Sequence, residues 1–162
     1  MCRSCGCLAN TLIDELTREH DAIVGLIRAV GGQLVAGDIR EVAASCRAIS
    51  ALLAPHIIVE EEGLFPELFR HFPERLESLT LEHRRVERVL DEAADGVPAD
   101  LLWPERLREG LGLLREHLLK EQDGIFPAAI ISLDIDQWET VGRVRQRVGS
   151  PLGGRTPQAH PA

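Results

Sequence analysis

The sequence predicts an all-α fold, an antiparallel up-down-up-down four-helix bundle with a short additional C-terminal helix. Apolar residues make up 44% of the 162-residue chain, yet there is no Tyr and there are only four Phe and two Trp. Leu and Ala dominate beside Glu and Arg, all of which favour helices. Apolar positions recur at three- and four-residue steps instead of alternating, and the long segments so marked are joined by short connections.

The first helix is predicted from about Thr11 to Val35, where an apolar stripe ends in a glycine cluster that closes with Gly37. The second is predicted from Asp38, a favourable N-cap, to about Glu62. Pro55 lies inside this helix and is expected to kink it. Gly63 is expected to end it within a Gly-x-Phe-Pro sequence, whose Phe65-Pro66 starts a short return segment.

The third helix is predicted from about Pro73 to Ala94, where Asp-Gly-Val-Pro stops it. The fourth is predicted from Pro104 to about Asp123 and is expected to close at Gly124 and the next Phe-Pro pair. A fifth, shorter helix is predicted from Asp134 to Arg147.

These elements divide the chain into four segments. Residues 1–9 form a cysteine-rich N-terminal tail, 10–132 the bundle and 133–148 the C-terminal helix. Residues 149–162 are rich in Gly and Pro and are expected to be a disordered tail.

Charge and hydropathy exclude several classes of partner. A net charge of −8 argues against a nucleic-acid ligand. No run reaches the ~18 apolar residues that a membrane span needs, so no membrane partner is expected. The N-terminus lacks the layout of a secretory signal, which predicts a cytoplasmic protein with reduced cysteines.

Two segments of the sequence, residues 56–66 and 117–127, are near copies. Each holds a His, a Glu four positions later, and then Gly, one aliphatic residue and Phe-Pro. A Glu-His pair precedes each of them, with its His 36 residues upstream in one case and 34 in the other. Repetition of polar residues at matched positions indicates a shared site.

The repeated residues lie on the apolar faces of their helices, because positions four apart share one face. Two buried carboxylates without a cationic partner would cost several kcal/mol. A single His on such a face is more often a hydrogen-bonded core residue, but a bound metal explains the whole set together. The candidate metal ligands are His20, His56, Glu60, His83, His117 and Glu121.

Imidazole and carboxylate ligands suit iron or manganese as well as zinc. Zinc sites usually close with about four ligands, whereas this set suits two metals bridged by Glu60 and Glu121, with two His on each. Glu-x-x-His and His-Glu-x-x-His are both absent from the sequence, which excludes the ferritin-like and zincin arrangements.

Over about residues 10 to 130 this ligand set resembles the hemerythrin-like (HHE cation-binding) domain family. The resemblance implies a bundle holding two non-haem iron ions, carboxylate- and oxo/hydroxo-bridged, with manganese or a mixed pair as the alternative. Oxygen-carrying members have a second His four residues after the ligand of the third helix, where this chain has Glu87. Glu87 either replaces that ligand or is solvated.

The resemblance leaves two functions open. The protein either senses or binds O2, nitric oxide or iron, or it is an enzyme of the peroxidase, catalase, nitric-oxide-reducing or iron-donating kind. Fewer His ligands imply more open positions, which favours reaction with peroxide or nitric oxide over reversible oxygen carriage. A small diatomic molecule or a peroxide is therefore the expected ligand. The sequence does not identify a protein partner, which a sensor would need.

The cysteines, the remaining histidines and the acids beside the ligands give weaker indications of function. Cys2, Cys5 and Cys7 predict either a redox-active or metal-capturing tail or a merely flexible terminus, and Cys46 joins them only if that tail folds back. His71 and His160 lie outside the repeat and are interpreted as bystanders. The acids beside the ligands are candidates to accept the second ring N–H of a ligating His. Neighbours in sequence point about 100° apart on a helix, however, so most of these acids are expected on the surface. These are Glu19, Glu61, Glu82 and Glu116.

Overall fold

The computed structural model describes residues 5–153, and within that range every regular element is helical. Seven α-helices and two π-helical turns follow one another along these described residues. The α-helices are α1 Cys5–Ala36, α2 Ile39–Ile58, α3 Phe65–Leu68, α4 Pro73–Asp91, α5 Trp103–Lys120, α6 Phe126–Ser132 and α7 Ile135–Val148. The first π turn is Val59–Leu64 and the second is Glu121–Ile125.

The ends of most helices agree with the sequence prediction to within a few residues. Asp38 caps α2 by accepting a hydrogen bond from the backbone N–H of Glu41 at 3.3 Å. Gly37 adopts φ +74°, the left-handed conformation that glycine allows at a helix end. Asp134 and Gln137 form a reciprocal capping box at the start of the predicted fifth helix, α7.

The two termini differ from the predicted segments where they are described. Helix α1 begins at Cys5, so residues 5–9 are helical and not part of a tail. Residues 1–4 lie outside the described range, as do residues 154–162 of the predicted disordered tail. Residues 149–153 form a turn after α7.

The prediction that each Gly-x-Phe-Pro sequence ends its helix is wrong. At both places the chain continues as a π turn and then as a further helical segment, α3 after the first and α6 after the second. Pro66 and Pro127 have no backbone N–H, which normally interrupts a helix. A π turn shifts the hydrogen-bond register by one residue, so the helix passes through the proline instead of stopping.

The helices pack as a bundle in which α1 contacts α2 and α5, and α4 contacts α2 and α5. Helix α7 lies against α1 and against the first π turn. By length and composition, the continuous helix Ile39–Leu68 is apolar enough to cross a membrane, a test that the core helix of a bundle also passes. About 44% of its most apolar window is buried against its neighbours.

The buried apolar residues form two clusters, one toward each end of the bundle. Along α1, Leu16 belongs to one cluster and Ile23 to the other, and along α4 the same is true of Leu79 and Val86. The candidate ligands of these helices lie between those pairs. The polar site therefore occupies the level at which one apolar cluster gives way to the other.

Candidate metal centre

The structure brings all six candidate ligands together in the interior. Their ligand atoms form two groups of four, and in each group the atoms lie within 4.8 Å of one another. The first half-site consists of His20, His56, Glu60 and Glu121. The second half-site consists of Glu60, His83, His117 and Glu121. Both carboxylates are thus shared, and none of the six residues exceeds 2% exposure.

The inward-facing atoms are the Nε2 atoms of the histidines and the carboxylate oxygens. In the first half-site, Nε2 of His56 lies 3.1 Å from Nε2 of His20 and 3.2 Å from Oε1 of Glu60. In the second, Nε2 of His117 lies 2.8 Å from Oε1 of Glu121. The other oxygen of Glu60 is 3.3 Å from Nε2 of His83, so this carboxylate faces both half-sites.

The π turns position the two shared carboxylates at the site. The backbone N–H of Phe65 bonds to the carbonyl of Glu60, and that of Phe126 bonds to the carbonyl of Glu121. The same phenylalanines close the site, because Phe126 stacks on His20 at 5.2 Å and Phe65 on His83 at 6.0 Å between ring centroids. The repeated Gly-x-Phe-Pro sequence therefore positions each carboxylate and covers one imidazole.

Three of the four histidines direct their second ring nitrogen at a carboxylate. Nδ1 of His56 lies 2.6 Å from Glu19, and Nδ1 of His117 lies 2.9 Å from Glu82. Nδ1 of His83 lies 2.8 Å from Glu61. Such bonds fix the tautomer and the ring orientation of a metal-binding histidine.

The expectation that these three acids lie on the surface is wrong for Glu19 and Glu82, which are buried, and for Glu61, which is mostly covered. Each acid does point away from the candidate ligand beside it in sequence, but that direction leads to a histidine of another helix. Glu116 is exposed, as expected. The repeated Glu-His pairs of the sequence contained the signal that could have identified Glu19 and Glu82.

Burial and neighbouring carboxylates shift the pKa values of the histidines in opposite directions. Burial alone would lower the pKa of His56, but Glu60 and Glu19 outweigh it and raise that pKa to about 10. The pKa of His83 is likewise raised, to about 9, by Glu60 and Glu61 against the effect of burial. Burial would raise the pKa of Glu60, yet His56 and His83 hold it well below its ordinary value. Without a metal, the site retains protons in place of a cation.

The donor set fits a pair of metal cations. Once the Nδ1 atoms donate outward, each neutral imidazole presents only a lone pair at Nε2, and carboxylates only accept. Both oxygens of Glu60 and Glu121, and Nε2 of His83 and His117, are buried without a hydrogen-bond partner among residues 5–153. Buried acceptors facing one another need a positive charge between them, which a metal ion supplies.

The model of the hemerythrin HHE cation-binding domain matches residues 11–129, about three quarters of the chain. The chain belongs to this family. Comparisons with curated proteins and with solved structures find no match. The matched segment of the HHE domain contains all six candidate ligands but ends before α7, which starts at Ile135.

Glu87 lies outside both half-sites of this HHE domain. Its carboxylate accepts a hydrogen bond from Arg84 at 2.7 Å, and the Glu87 side chain is 34% exposed. Of the two alternatives left open by the sequence, the structure favours a solvated residue in an ion pair over a metal ligand.

Among residues 5–153, the remaining candidates belong to neither half-site of the HHE domain. His71 is exposed, and His160 lies outside the described residues, as does Cys2. Cys46 is fully buried in an apolar cluster, and burial raises the pKa of its thiol to about 11, which makes it unreactive. Cys7 is exposed on α1. The predicted role of the N-terminal cysteines stays a prediction.

Proposed function

We propose that this HHE domain binds two iron ions and uses them to react with or to sense O2, peroxide or nitric oxide. The proposal rests on one observation, which is that the two groups of four candidate ligands share Glu60 and Glu121. Two imidazoles and one oxygen from each of the two shared carboxylates would give each metal four protein ligands. Iron commonly fills six positions, so exogenous ligands would have room. When bound, such a pair supplies open coordination positions and the capacity to exchange electrons with a small oxidant.

The protein around the site selects the size and polarity of what enters. The six ligands are enclosed, and their apolar surroundings exclude bulky or charged molecules. An apolar groove of about 770 Å³ between α3 and α4 is lined by Phe65 and Glu61, which both contact His83. This groove supports entry of a small uncharged molecule toward the second half-site.

Reaction with peroxide or nitric oxide is favoured over reversible oxygen carriage. A carrier needs one saturated metal, and Glu87 does not provide the additional ligand because it is paired with Arg84. A peroxidase- or catalase-like enzyme, or an iron-handling protein, is the second candidate and uses the same residues. We also propose that the four long helices alternate in direction and that the protein acts in the cytoplasm. From its net charge of −8, we propose that it has no nucleic-acid partner.

The test is metal analysis with an optical spectrum of protein loaded anaerobically with Fe(II) and then exposed to air. We expect two irons per chain, one for each group of ligands, and near-ultraviolet absorption from a coupled ferric pair. One zinc per chain, or no metal, would contradict the proposal. Oxygen release after addition of peroxide would then identify a catalase-like enzyme, and consumption of peroxide only with an added electron donor would identify a peroxidase-like one. Turnover in neither assay would favour the sensor.

A matched pair of variants tests the choice of ligands. His56→Ala removes a buried ligand of the first half-site, whereas His71→Ala removes an exposed histidine outside both groups. The first variant should lose at least one equivalent of iron and the second should retain the full amount. Equal iron content in the two variants would show that the ligand set is wrong.

A further inference from the structure

Helix α7 carries a buried cation into the vicinity of the HHE site. Arg145 is only 2% exposed, and within residues 5–153 no other arginine or lysine is buried. Its Nη1 lies 2.9 Å from Oε1 of Glu19, and its Nη2 donates to Oε2 of the same carboxylate at 3.1 Å. The guanidinium thus contacts both oxygens of a fully buried acid, one through a hydrogen bond and the other through an ion pair. Its Nε lies 3.4 Å from Oε2 of Glu15.

The same oxygen of Glu19 also contacts a candidate metal ligand. Oε2 receives Nη2 of Arg145 and lies 2.6 Å from Nδ1 of His56. The hydrogen bond from Nη2 to Oε2, with Nη1 close to the other oxygen, holds the carboxylate in place, and the carboxylate in turn orients the imidazole. A continuous chain of contacts therefore runs from α7, through α1, to a ligand of the first half-site on α2.

The repeat provides an internal comparison, because Glu82 and His117 occupy the places of Glu19 and His56 in the second half-site. There the cation behind the carboxylate is Lys120, which is 41% exposed and lies on the same helix as His117. An ammonium is a point charge that water screens, whereas a buried guanidinium has a fixed planar geometry. The two half-sites have matching ligands but unequal outer support.

We infer that Arg145 is a positioning residue of the metal centre and holds His56 through Glu19 in the geometry that the first half-site needs. The inference rests on the proposed metal-binding function. It assigns helix α7, which lies beyond the segment matched by the family model, to the metal centre of this chain. The second half-site is expected to depend on α7 much less.

A purely structural role for Arg145 would be to dock α7 by an ion pair. Loss of that pair would leave Glu19 buried without its cation and would loosen the whole bundle. Both half-sites would then lose metal affinity to a similar extent. A positioning role predicts instead that damage is concentrated in the half-site that contains His56.

The experiment measures Co(II) affinity by competition with a chelator, in backgrounds that keep only one half-site intact. His117→Ala leaves the first half-site, and His56→Ala leaves the second. In the His117→Ala background, Arg145→Met should weaken the remaining equivalent by about 10- to 100-fold, the usual cost of losing an outer partner of a ligand. In the His56→Ala background, the same substitution should change affinity by less than about threefold.

Two further variants keep the test decisive. Arg145→Lys retains the positive charge for folding but reaches the carboxylate as a single point, so it should still weaken the first half-site and change the Co(II) absorption spectrum. Arg147→Met removes an exposed arginine of the same helix, paired with Glu62, and should leave both affinities unchanged. If Arg145→Met is unstable, Arg145→Lys decides the matter.

The outcomes separate this inference from the function on which it rests. Wild-type protein that binds no metal overturns the proposed function. Wild-type protein with two equivalents, together with Arg145 variants of unaltered affinity or with equal losses in both backgrounds, overturns only the role of Arg145.

Discussion

Raising the pH should destabilise the metal-free protein. The pKa of His56 is about 10 and that of His83 about 9 in the folded chain, both above the value of about 6.5 expected after unfolding. Their stabilising contribution is therefore complete below about pH 6.5 and is lost as the pH rises toward the folded pKa values. Each group changes the free energy of unfolding by up to about 1.4 kcal/mol per pH unit. Between pH 7 and 9 the loss comes to several kcal/mol, a large part of a typical stability of about 5–15 kcal/mol.

In the acidic range, the free energy of unfolding of the metal-free protein changes with pH in the opposite direction. The pKa of Glu60 is well below its ordinary value of 4.5, so its contribution is present above that value and is lost as the pH falls through the folded pKa. The metal-free protein should consequently be most stable between about pH 4.5 and 6.5, as far as this site determines it.

Urea denaturation in the presence of a chelator, followed by circular dichroism at pH 6, 7, 8 and 9, measures this profile. Metal-loaded protein is the control. Metal binding must release the protons held by His56 and His83, so the stabilisation by metal should increase over the same pH range. A free energy of unfolding that stays constant from pH 6 to 9 without metal would refute the reasoning.

Three other changes have definite expected outcomes. Glu82→Gln should weaken metal binding by about 10- to 100-fold in a chelator competition, because the amide is a poorer acceptor for the imidazole it supports. Glu87→Gln should leave the iron content measured by elemental analysis unchanged, because this acid lies outside both half-sites. Gly110→Ala should destabilise the protein by about 1–3 kcal/mol in urea denaturation, since a new Cβ would lie 2.6 Å from Cγ1 of the stiff side chain of Val89. Gly112→Ala is its control on the same helix, where nothing lies within 4 Å, and should stabilise by about 0.5–1 kcal/mol.

The ligands and the long helices could be predicted because local periodicity determines both. Positions four apart share a helix face, so the His-x-x-x-Glu pairs and their apolar neighbours indicated one interior without any knowledge of tertiary contacts. The fifth helix could be predicted equally well from local sequence, since Asp134 and Gln137 form a capping box within four residues.

The π turns could not be predicted by the same rules. Gly63 and Pro66 are ordinary signals of a helix end, and a register shift by one residue leaves no periodic trace in a short segment. Repetition of the same sequence in two helices was the available sign that the segment had a specific structure. Its function becomes visible only when Phe65 is seen against His83 and bonded to the carbonyl of Glu60.

The acids and the arginine that support the histidines were not predicted, for a different reason. They act on residues of other helices. Glu19 is next to His20 in sequence but supports His56 on α2, and Arg145 reaches it from a helix 126 residues further along the chain. Rules for one helix describe only which way a side chain leaves its own axis. Which neighbour it meets depends on how the helices pack.

The repeat thus makes the two half-sites alike in their ligands and leaves their surroundings free to differ. The first half-site is backed by the buried Arg145 and by α7, which closes that side of the bundle. The second is backed by the exposed cations Lys120 and Arg84 and lies beside the apolar groove lined by Phe65. In the proposed metal centre, the half-site with the buried cation would be the more firmly supported one, and the half-site beside the groove would be the easier one to reach. A small molecule is therefore expected to react first on the side of His83 and His117.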